Sequence, residues 1–90
     1  MRQIENTGQF KKDYKKYKND NNTKRLLKDI LLSLQKDQSL KPKHKDHVLV
    51  GNFDGCRECH LRPDILLIYR KPDKKTLELV RLGSHAGLFG

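Results

Sequence analysis

The strongest constraint in this chain is a change in the spacing of its apolar residues. In the first half they recur at helical intervals, i, i+1, i+4, i+5 and i+8, at Leu26, Leu27, Ile30, Leu31 and Leu34. Between residues 48 and 82 they form short runs that are separated by turn residues. A stripe at helical spacing predicts an amphipathic helix, whereas short runs bounded by turns predict strands. The sequence therefore predicts a helix that packs against a sheet.

A shorter helix is predicted ahead of that stripe. Phe10, Tyr14 and Tyr17 recur at helical spacing, and lysines occupy the other faces of the segment. Thr7 is a candidate N-cap, because its hydroxyl oxygen accepts hydrogen bonds from free amides at a helix start. This pattern predicts an amphipathic helix with a very basic exterior.

The polar run at residues 19–22 separates the two helices. We expect Asn22 or Thr23 to cap the longer helix, which should end near residues 35–38. Two helices joined by so short a turn are expected to form a hairpin.

The rest of the sequence predicts a sheet. A short strand is expected at residues 2–6, and further strands are expected at residues 48–51, 57–62, 65–69 and 76–82. The glycine-rich tail from residue 83 onward is expected to be irregular. Together these elements predict an α+β fold in which an antiparallel meander carries both helices on one face. Ninety residues suit one domain, spanning 1–90.

Positive charge is the dominant compositional signal. Twenty Lys and Arg oppose eleven Asp and Glu, so the formal net charge is +9 and the pI is near 9.8. Such an excess attracts polyanions: nucleic acid, an acidic protein or an anionic membrane. No apolar run approaches the roughly 18 residues that span a bilayer, and the first residues lack the apolar stretch of a signal peptide. We therefore expect a cytoplasmic protein without membrane association.

The segment from Cys56 to His60 matches C-x-x-C-H, the pattern of c-type haem attachment. Such attachment follows export, for which no signal is seen, and Met1 is the only methionine. On a strand, Cys59 would also face away from His60. A zinc site would lack the second ligand pair of a zinc finger. We therefore expect two reduced cysteines, no haem, no metal and no cofactor.

Five polar side chains are candidates for catalysis. His47, His60 and His85 lie on or beside predicted strand ends, and imidazole has a reference pKa of about 6.5. A neutral-pH ribonuclease needs a base for the 2′-hydroxyl proton and an acid for the leaving 5′-oxygen, and histidine serves as either. Arg81 supplies a fixed cation for the charge that builds on the phosphoryl oxygens. Asp64 is the fifth candidate.

Judged by spacing alone, each of these side chains also has a plainer interpretation. From spacing alone, each of the three histidines is more typical of a surface or packing position than of a catalytic one. Asp64 follows Pro63 at a tight turn, where Asp is common for conformational reasons. His44, in a basic loop, is expected to have no catalytic role.

The second half of the chain resembles the YafQ branch of the RelE-type bacterial toxins. The resemblance rests on an ordered set of residues: Lys45-Asp46-His47, Leu49, Gly51, Gly55, Arg57-Glu58-Cys59-His60, Pro63-Asp64, Leu67-Ile68-Tyr69 and the run from Arg81 to Phe89. One departure is Ile65, which stands where the family pattern often has Trp. An aliphatic side chain stacks on a base less well, so base recognition there is not expected.

The resemblance implies a RelE/ParE-like fold, with an N-terminal strand and a helix hairpin packed on an antiparallel sheet. It implies cleavage of mRNA, often on the ribosome, and neutralisation by a cognate antitoxin. It also implies that His85 is the general acid, that His60 or Asp64 is the base, and that His47 assists. Arg81 would stabilise the phosphoryl group. Phe89 would stack on a base, and Lys45 would contact the substrate.

Two functions of other classes remain open at this level. ParE toxins share the fold and inhibit DNA gyrase without catalysis, and a basic helix would also suit a plain RNA- or ribosome-binding module. The histidines with Asp64 and Arg81 favour a metal-independent endoribonuclease, because a binding protein does not need proton donors.

Overall fold

A computed structural model describes residues 1–90. Its strands are β1 (Gln3–Asn6), β2 (His47–Val48), β3 (Arg57–Arg62), β4 (Ile65–Arg70) and β5 (Thr76–Gly83). Its α-helices are α1 (Gly8–Lys15), α2 (Asn21–Gln35) and α3 (His85–Phe89), and single 3-10 turns lie at Pro42–His44 and Gly51–Phe53. The α+β prediction is confirmed. No helix has the length and apolar character needed to cross a membrane.

Side-chain caps determine where the first two helices begin. Thr7 caps α1 as expected, because its Oγ1 accepts a hydrogen bond from the Phe10 amide at 3.0 Å. The prediction that Asn22 or Thr23 caps α2 is wrong. Asp20 is the cap, and its carboxylate accepts both the Thr23 amide, at 3.0 Å, and the Thr23 hydroxyl, at 2.7 Å. An ionised carboxylate with two donors makes the stronger cap.

The five strands form one sheet in the order β1-β5-β4-β3-β2. Strands β2 to β5 are antiparallel neighbours, as the predicted meander requires. Strand β1 pairs with β5 in parallel, so the sheet is mixed rather than purely antiparallel. A parallel neighbour needs a long connection, and most of the chain lies between these two strands.

Both long helices pack on one face of the sheet. Phe10 of α1 and Leu27, Ile30 and Leu34 of α2 share one buried cluster with strand residues. The strand members of that cluster are Cys59, Leu61, Ile65, Leu67, Tyr69, Leu77, Leu79 and Leu82. Because side chains alternate along a strand, the residues between these point to the other face, which we call the open face.

The tail is helical, contrary to the expectation of an irregular segment. Helix α3 begins after Ser84, whose Oγ accepts a hydrogen bond from the Gly87 amide at 3.0 Å. Its Leu88 packs beside Gly83, where an added Cβ would lie 3.3 Å from the Leu88 Cδ2 atom. Gly83 is paired with Leu66, which is buried but lies outside the main cluster, so that Cβ would point to the open face. Helix α3 therefore lies against the open face at the end of β5.

Candidate active site

The register of the sheet brings three candidate side chains into one row on the open face. His47 is paired with Glu58, Glu58 with Ile68, and Ile68 with Arg81. Directly opposed residues point to the same face of a sheet. His47, Glu58 and Arg81 therefore share the open face, although they are far apart in the sequence.

The next row places a further histidine beside the first. His60 is paired with Leu66, and Leu66 with Gly83. His60 lies two residues beyond Glu58 on β3, so both side chains point to the open face. His85 follows the Gly83 end of this row by two residues, at the start of α3. The structure thus brings His47 and His60 together and places His85 at the same end of the sheet as His60.

Contacts at both ring nitrogens hold His47 in place. His47 Nδ1 lies 2.6 Å from the Lys45 carbonyl oxygen, and His47 Nε2 lies 3.0 Å from Glu58 Oε2. A carbonyl oxygen only accepts, so Nδ1 is placed to donate to Lys45. The ring is therefore fixed in orientation and faces the side chain of Glu58.

Glu58 connects the two histidines. Its side chain is 7% exposed, and its Oε2 lies 3.9 Å from His60 Nε2. Its Oε1 is buried and has no hydrogen-bond partner. A buried carboxylate without full hydrogen bonding is costly, so its persistence is typical of a functional position. Sequence reasoning missed Glu58. The available signal was its position two residues before His60, on the same face of a strand between buried neighbours.

Asp46 positions His47, which lies on a strand of only two residues. The Tyr69 hydroxyl donates to Asp46 Oδ1 at 2.6 Å, and Arg57 Nε donates to the same oxygen at 3.2 Å. Tyr69 is buried, and burial together with the hydrogen bond to Asp46 raises its pKa above the ordinary range. Strand β2 covers His47–Val48 and is shorter than the predicted 48–51. The hydrogen bonds that Tyr69 and Arg57 donate to Asp46 hold the start of this strand beside β3.

Arg81 reaches the sheet edge and makes a buried ion pair. Its Nε donates to Asp13 Oδ2 at 2.7 Å, and its Nη2 donates to Asp13 Oδ1 at 3.2 Å. Hydrogen bonding to this carboxylate raises the pKa of Arg81, so the guanidinium stays charged. Asp13 was not a sequence candidate, because it belongs to the lysine-rich helix α1.

The aromatic residues form a small stack around His85. The His85 ring lies 4.9 Å from the Phe89 ring, one helical turn away, and Phe89 meets Phe53 edge to face at 5.6 Å. Phe89 remains 41% exposed. An exposed ring beside an imidazole offers a flat surface on which a base could stack.

Asp64 stands apart from the histidines. It lies in the turn between β3 and β4, its side chain is 78% exposed, and the charged atom it approaches is Arg62 Nε, at 3.7 Å. His44, which had no expected role, contacts the site through the backbone: its Nδ1 lies 2.7 Å from the His60 carbonyl oxygen. His44 therefore helps to hold β3 where β2 no longer covers its edge.

A basic cavity of about 380 Å³ adjoins His60. Its lining is mostly cationic or imidazole-bearing and consists of Lys43, His44, Lys45, His60, Leu61, Arg62 and Pro63. Lys45, the expected substrate contact, thus lies on the same cavity as His60. A cavity lined in this way attracts phosphate groups.

The two cysteines belong to the interior and not to this site. Both are free and buried, and burial raises the pKa of Cys59 to about 12. Cys59 packs in the main cluster, on the face opposite His60. No group of three or more His, Cys, Asp or Glu side chains is arranged to hold a metal ion.

Comparisons with known proteins identify the family of the chain. Residues 2–90 match the family described as the bacterial toxin of type II toxin–antitoxin system, YafQ. The mRNA interferase toxin YafQ of Escherichia coli K12 is 40% identical over 94 residues, covering 100% of this chain and 98% of that protein. A metal-bound toxin from Helicobacter pylori is 46% identical, with a TM-score of 0.89 over 99% of this chain and 100% of that one. In the E. coli DinJ–YafQ complex, the matching chain is 37% identical, with a TM-score of 0.86 and full coverage of both chains. The RelE/ParE-like fold expected from the resemblance is confirmed, and the chain belongs to the YafQ family of type II toxins.

Proposed function

We propose that this chain is an endoribonuclease that cleaves mRNA as the toxin of a type II toxin–antitoxin pair. The observation that carries the proposal is the contact cluster of His47, Glu58 and His60 on the same sheet face as Arg81. A protein that only binds RNA or gyrase does not need a buried carboxylate between two imidazoles. The name of the E. coli relative, an mRNA interferase, supports the choice of substrate.

The reaction begins with the 2′-hydroxyl of the RNA. His60 accepts its proton while the oxygen attacks the neighbouring phosphorus, and the Glu58 carboxylate stabilises the imidazolium that forms. The contact of His47 Nε2 with Glu58 Oε2, at 3.0 Å, holds this carboxylate in place. Asp64 is the weaker candidate for the base, because its carboxylate is exposed and faces Arg62.

His85 completes the reaction as the general acid. It gives a proton to the leaving 5′-oxygen, so the products are a 2′,3′-cyclic phosphate, or the 3′-phosphate after hydrolysis, and a 5′-hydroxyl. Arg81 stabilises the negative charge that develops on the phosphoryl oxygens. Phe89 stacks on a neighbouring base, and Lys45 holds a flanking phosphate in the basic cavity.

The direct test is cleavage of a defined RNA by purified protein in EDTA. We expect wild-type protein to produce 5′-hydroxyl and cyclic-phosphate ends, and His60→Ala and His85→Ala to lose most of the rate while remaining folded. Lys74→Ala, in an exposed turn on another part of the surface, is the matched control and should cleave normally. Full activity in either histidine variant would contradict the assignment.

Two further arms separate the remaining alternatives. Because H. pylori relatives were solved with a bound metal, copper in one case, the assay is repeated with divalent copper added back. Cleavage that appears only with metal would contradict the metal-independent mechanism. Inhibition of gyrase supercoiling without any RNA product would favour the ParE-like function instead.

The partner surfaces are proposed from charge and shape. A groove of about 770 Å³ between β1, α1 and α2 is lined by apolar residues such as Phe10, Leu27 and Leu31, and its rim carries Lys24 and Lys28. We assign this groove to an acidic amphipathic segment of the antitoxin, since E. coli YafQ is known in complex with DinJ. The lysines of α1 would contact ribosomal or messenger RNA. Charge reversal at Lys24 and Lys28 should weaken antitoxin binding and leave cleavage of free RNA intact.

A further inference from the structure

The most buried acidic side chain of the molecule lies outside the histidine cluster. Asp13 is on α1, and only 2% of its surface is exposed. It receives hydrogen bonds from Arg81 Nε at 2.7 Å, Arg81 Nη2 at 3.2 Å and the Leu82 amide at 3.0 Å. Burial pushes the pKa of Asp13 up, but these hydrogen bonds outweigh it and hold that pKa below its ordinary value. A buried carboxylate with this many donors fixes their directions.

The Asp13 carboxylate binds the Arg81 guanidinium from the side, and this geometry determines which hydrogen-bond donors of Arg81 remain available to a ligand. Asp13 takes the Nε hydrogen and one Nη2 hydrogen of the guanidinium. The two hydrogens on Nη1 and the second one on Nη2 remain available. Because the guanidinium is planar and rigid, fixing one edge also fixes the direction of the donors on the other edge.

Other arginine–carboxylate pairs in the chain lack this arrangement. Asp37, which meets Arg2 Nε at 2.7 Å, has a side chain that is 54% exposed and is shared with Lys71. The side chain of Asp13 is 3% exposed. Exposed pairs fluctuate and contribute little, whereas a buried pair with several hydrogen bonds holds one geometry.

We propose that Asp13 is a positioning residue for RNA cleavage, which holds the Arg81 guanidinium so that its free donors face the phosphoryl oxygens. This inference rests on the proposed function, in particular on the contact of Arg81 with the phosphate. It assigns to the lysine-rich helix a part in the chemistry besides RNA contact. Asp13 acts through Arg81 and does not touch the substrate.

A double-mutant cycle tests this inference. The single-turnover cleavage rate is measured at saturating protein for wild type, Asp13→Asn, Arg81→Ala and the double variant. Binding is measured separately with an RNA carrying a 2′-deoxy nucleotide at the cleavage site. A misplacement of about 1 Å costs roughly 100-fold in rate, so we expect Asp13→Asn to lose about 10- to 100-fold. Its RNA affinity should change by less than about 3-fold, and it should slow the Arg81→Ala protein no further.

Each outcome has a defined meaning. A wild-type rate in Asp13→Asn, or an equal additional loss in the Arg81→Ala background, would overturn the positioning role. Full activity in Arg81→Ala would instead overturn the part of the proposed function that places this side chain at the phosphate. Asp37→Asn, which removes an exposed arginine–carboxylate pair elsewhere, is the control and should cleave at the wild-type rate.

A second variant covers the case in which Asp13→Asn fails to fold. Asp13→Glu keeps the charge but moves the carboxylate outward by one methylene, so the guanidinium is held in a shifted position. We expect an intermediate cleavage rate, with RNA affinity unchanged. A folded Asp13→Glu protein with the full wild-type rate would show that the position of the guanidinium is immaterial, and would overturn the proposal.

Discussion

Replacing Glu58 by Gln should separate the chemistry of this site from its shape. The amide has the size of the carboxylate but removes the charge that faces His47 at 3.0 Å and His60 at 3.9 Å. A glutamine amide can donate a hydrogen bond to a ring nitrogen of His47, so the contact between the two side chains can be kept. The substitution therefore removes the negative charge of the cluster with little change in packing.

The expected loss follows from the bonds involved. A charge-assisted hydrogen bond contributes about 1.5–3 kcal/mol, and the lower end applies because His47 is half exposed. Only the part of that contact that strengthens in the transition state affects the rate, so its loss alone would slow cleavage by at most about 10-fold. His60 also loses the carboxylate that stabilises its imidazolium, and a positioned base contributes about 100- to 10,000-fold. We expect Glu58→Gln to cleave at least about 100-fold more slowly than wild type.

Two measurements check this reasoning. Cleavage rates are compared with those of Glu78→Gln, in which a carboxylate on the same face loses its contact with Arg70 and no histidine is involved. That control should keep the full rate. The midpoint of thermal unfolding, measured for both variants and wild type, shows whether the fold is retained. Full activity in a folded Glu58→Gln protein would refute the argument.

Three further predictions concern the supports of the site. Gly83→Val should displace Leu88, and α3 with it, so cleavage should fall by about 10-fold or more in gel assays while the melting temperature changes by only a few degrees. The pKa of Asp13 in the folded protein lies below its ordinary 3.8, so its contribution to stability is complete above that value and is lost as pH falls below it. Chemical denaturation should therefore show that the free energy of unfolding falls more steeply with acid for wild type than for Asp13→Asn. The Cys59 thiol has a pKa of about 12 and is fully buried, so it should resist iodoacetamide at pH 8 in the native protein and react once urea unfolds the chain. Fast labelling of the native protein at Cys59 would contradict its placement in the core.

Periodicity predicted most of the fold, and tertiary contacts explain the elements that it missed. The spacing of Leu27, Ile30 and Leu34 correctly indicated a helix buried against a sheet, since burial follows the stripe. Helix α3 was missed because a five-residue segment with an internal glycine has little helical preference of its own. It forms where Leu88 packs on Gly83 and Ser84 caps the first turn.

The site was only partly visible in the sequence for a similar reason. Histidines are conspicuous in a short basic chain, so His47 and His60 stood out as candidates. Glu58 resembled an ordinary charged residue, because only the register of the sheet places it between them. Asp13 was hidden by its distance in sequence from Arg81, since the two are 68 positions apart and meet only after β5 joins the sheet.

The same long separation has a consequence for the biosynthesis of the protein. Chains emerge from the ribosome starting at the N-terminus, so Asp13 is synthesised long before Arg81. A nascent polypeptide that ends before β5 contains the carboxylate without the guanidinium that it pairs with. The buried ion pair therefore cannot form until the C-terminal strand has been made, and the docking of α1 waits for the end of synthesis.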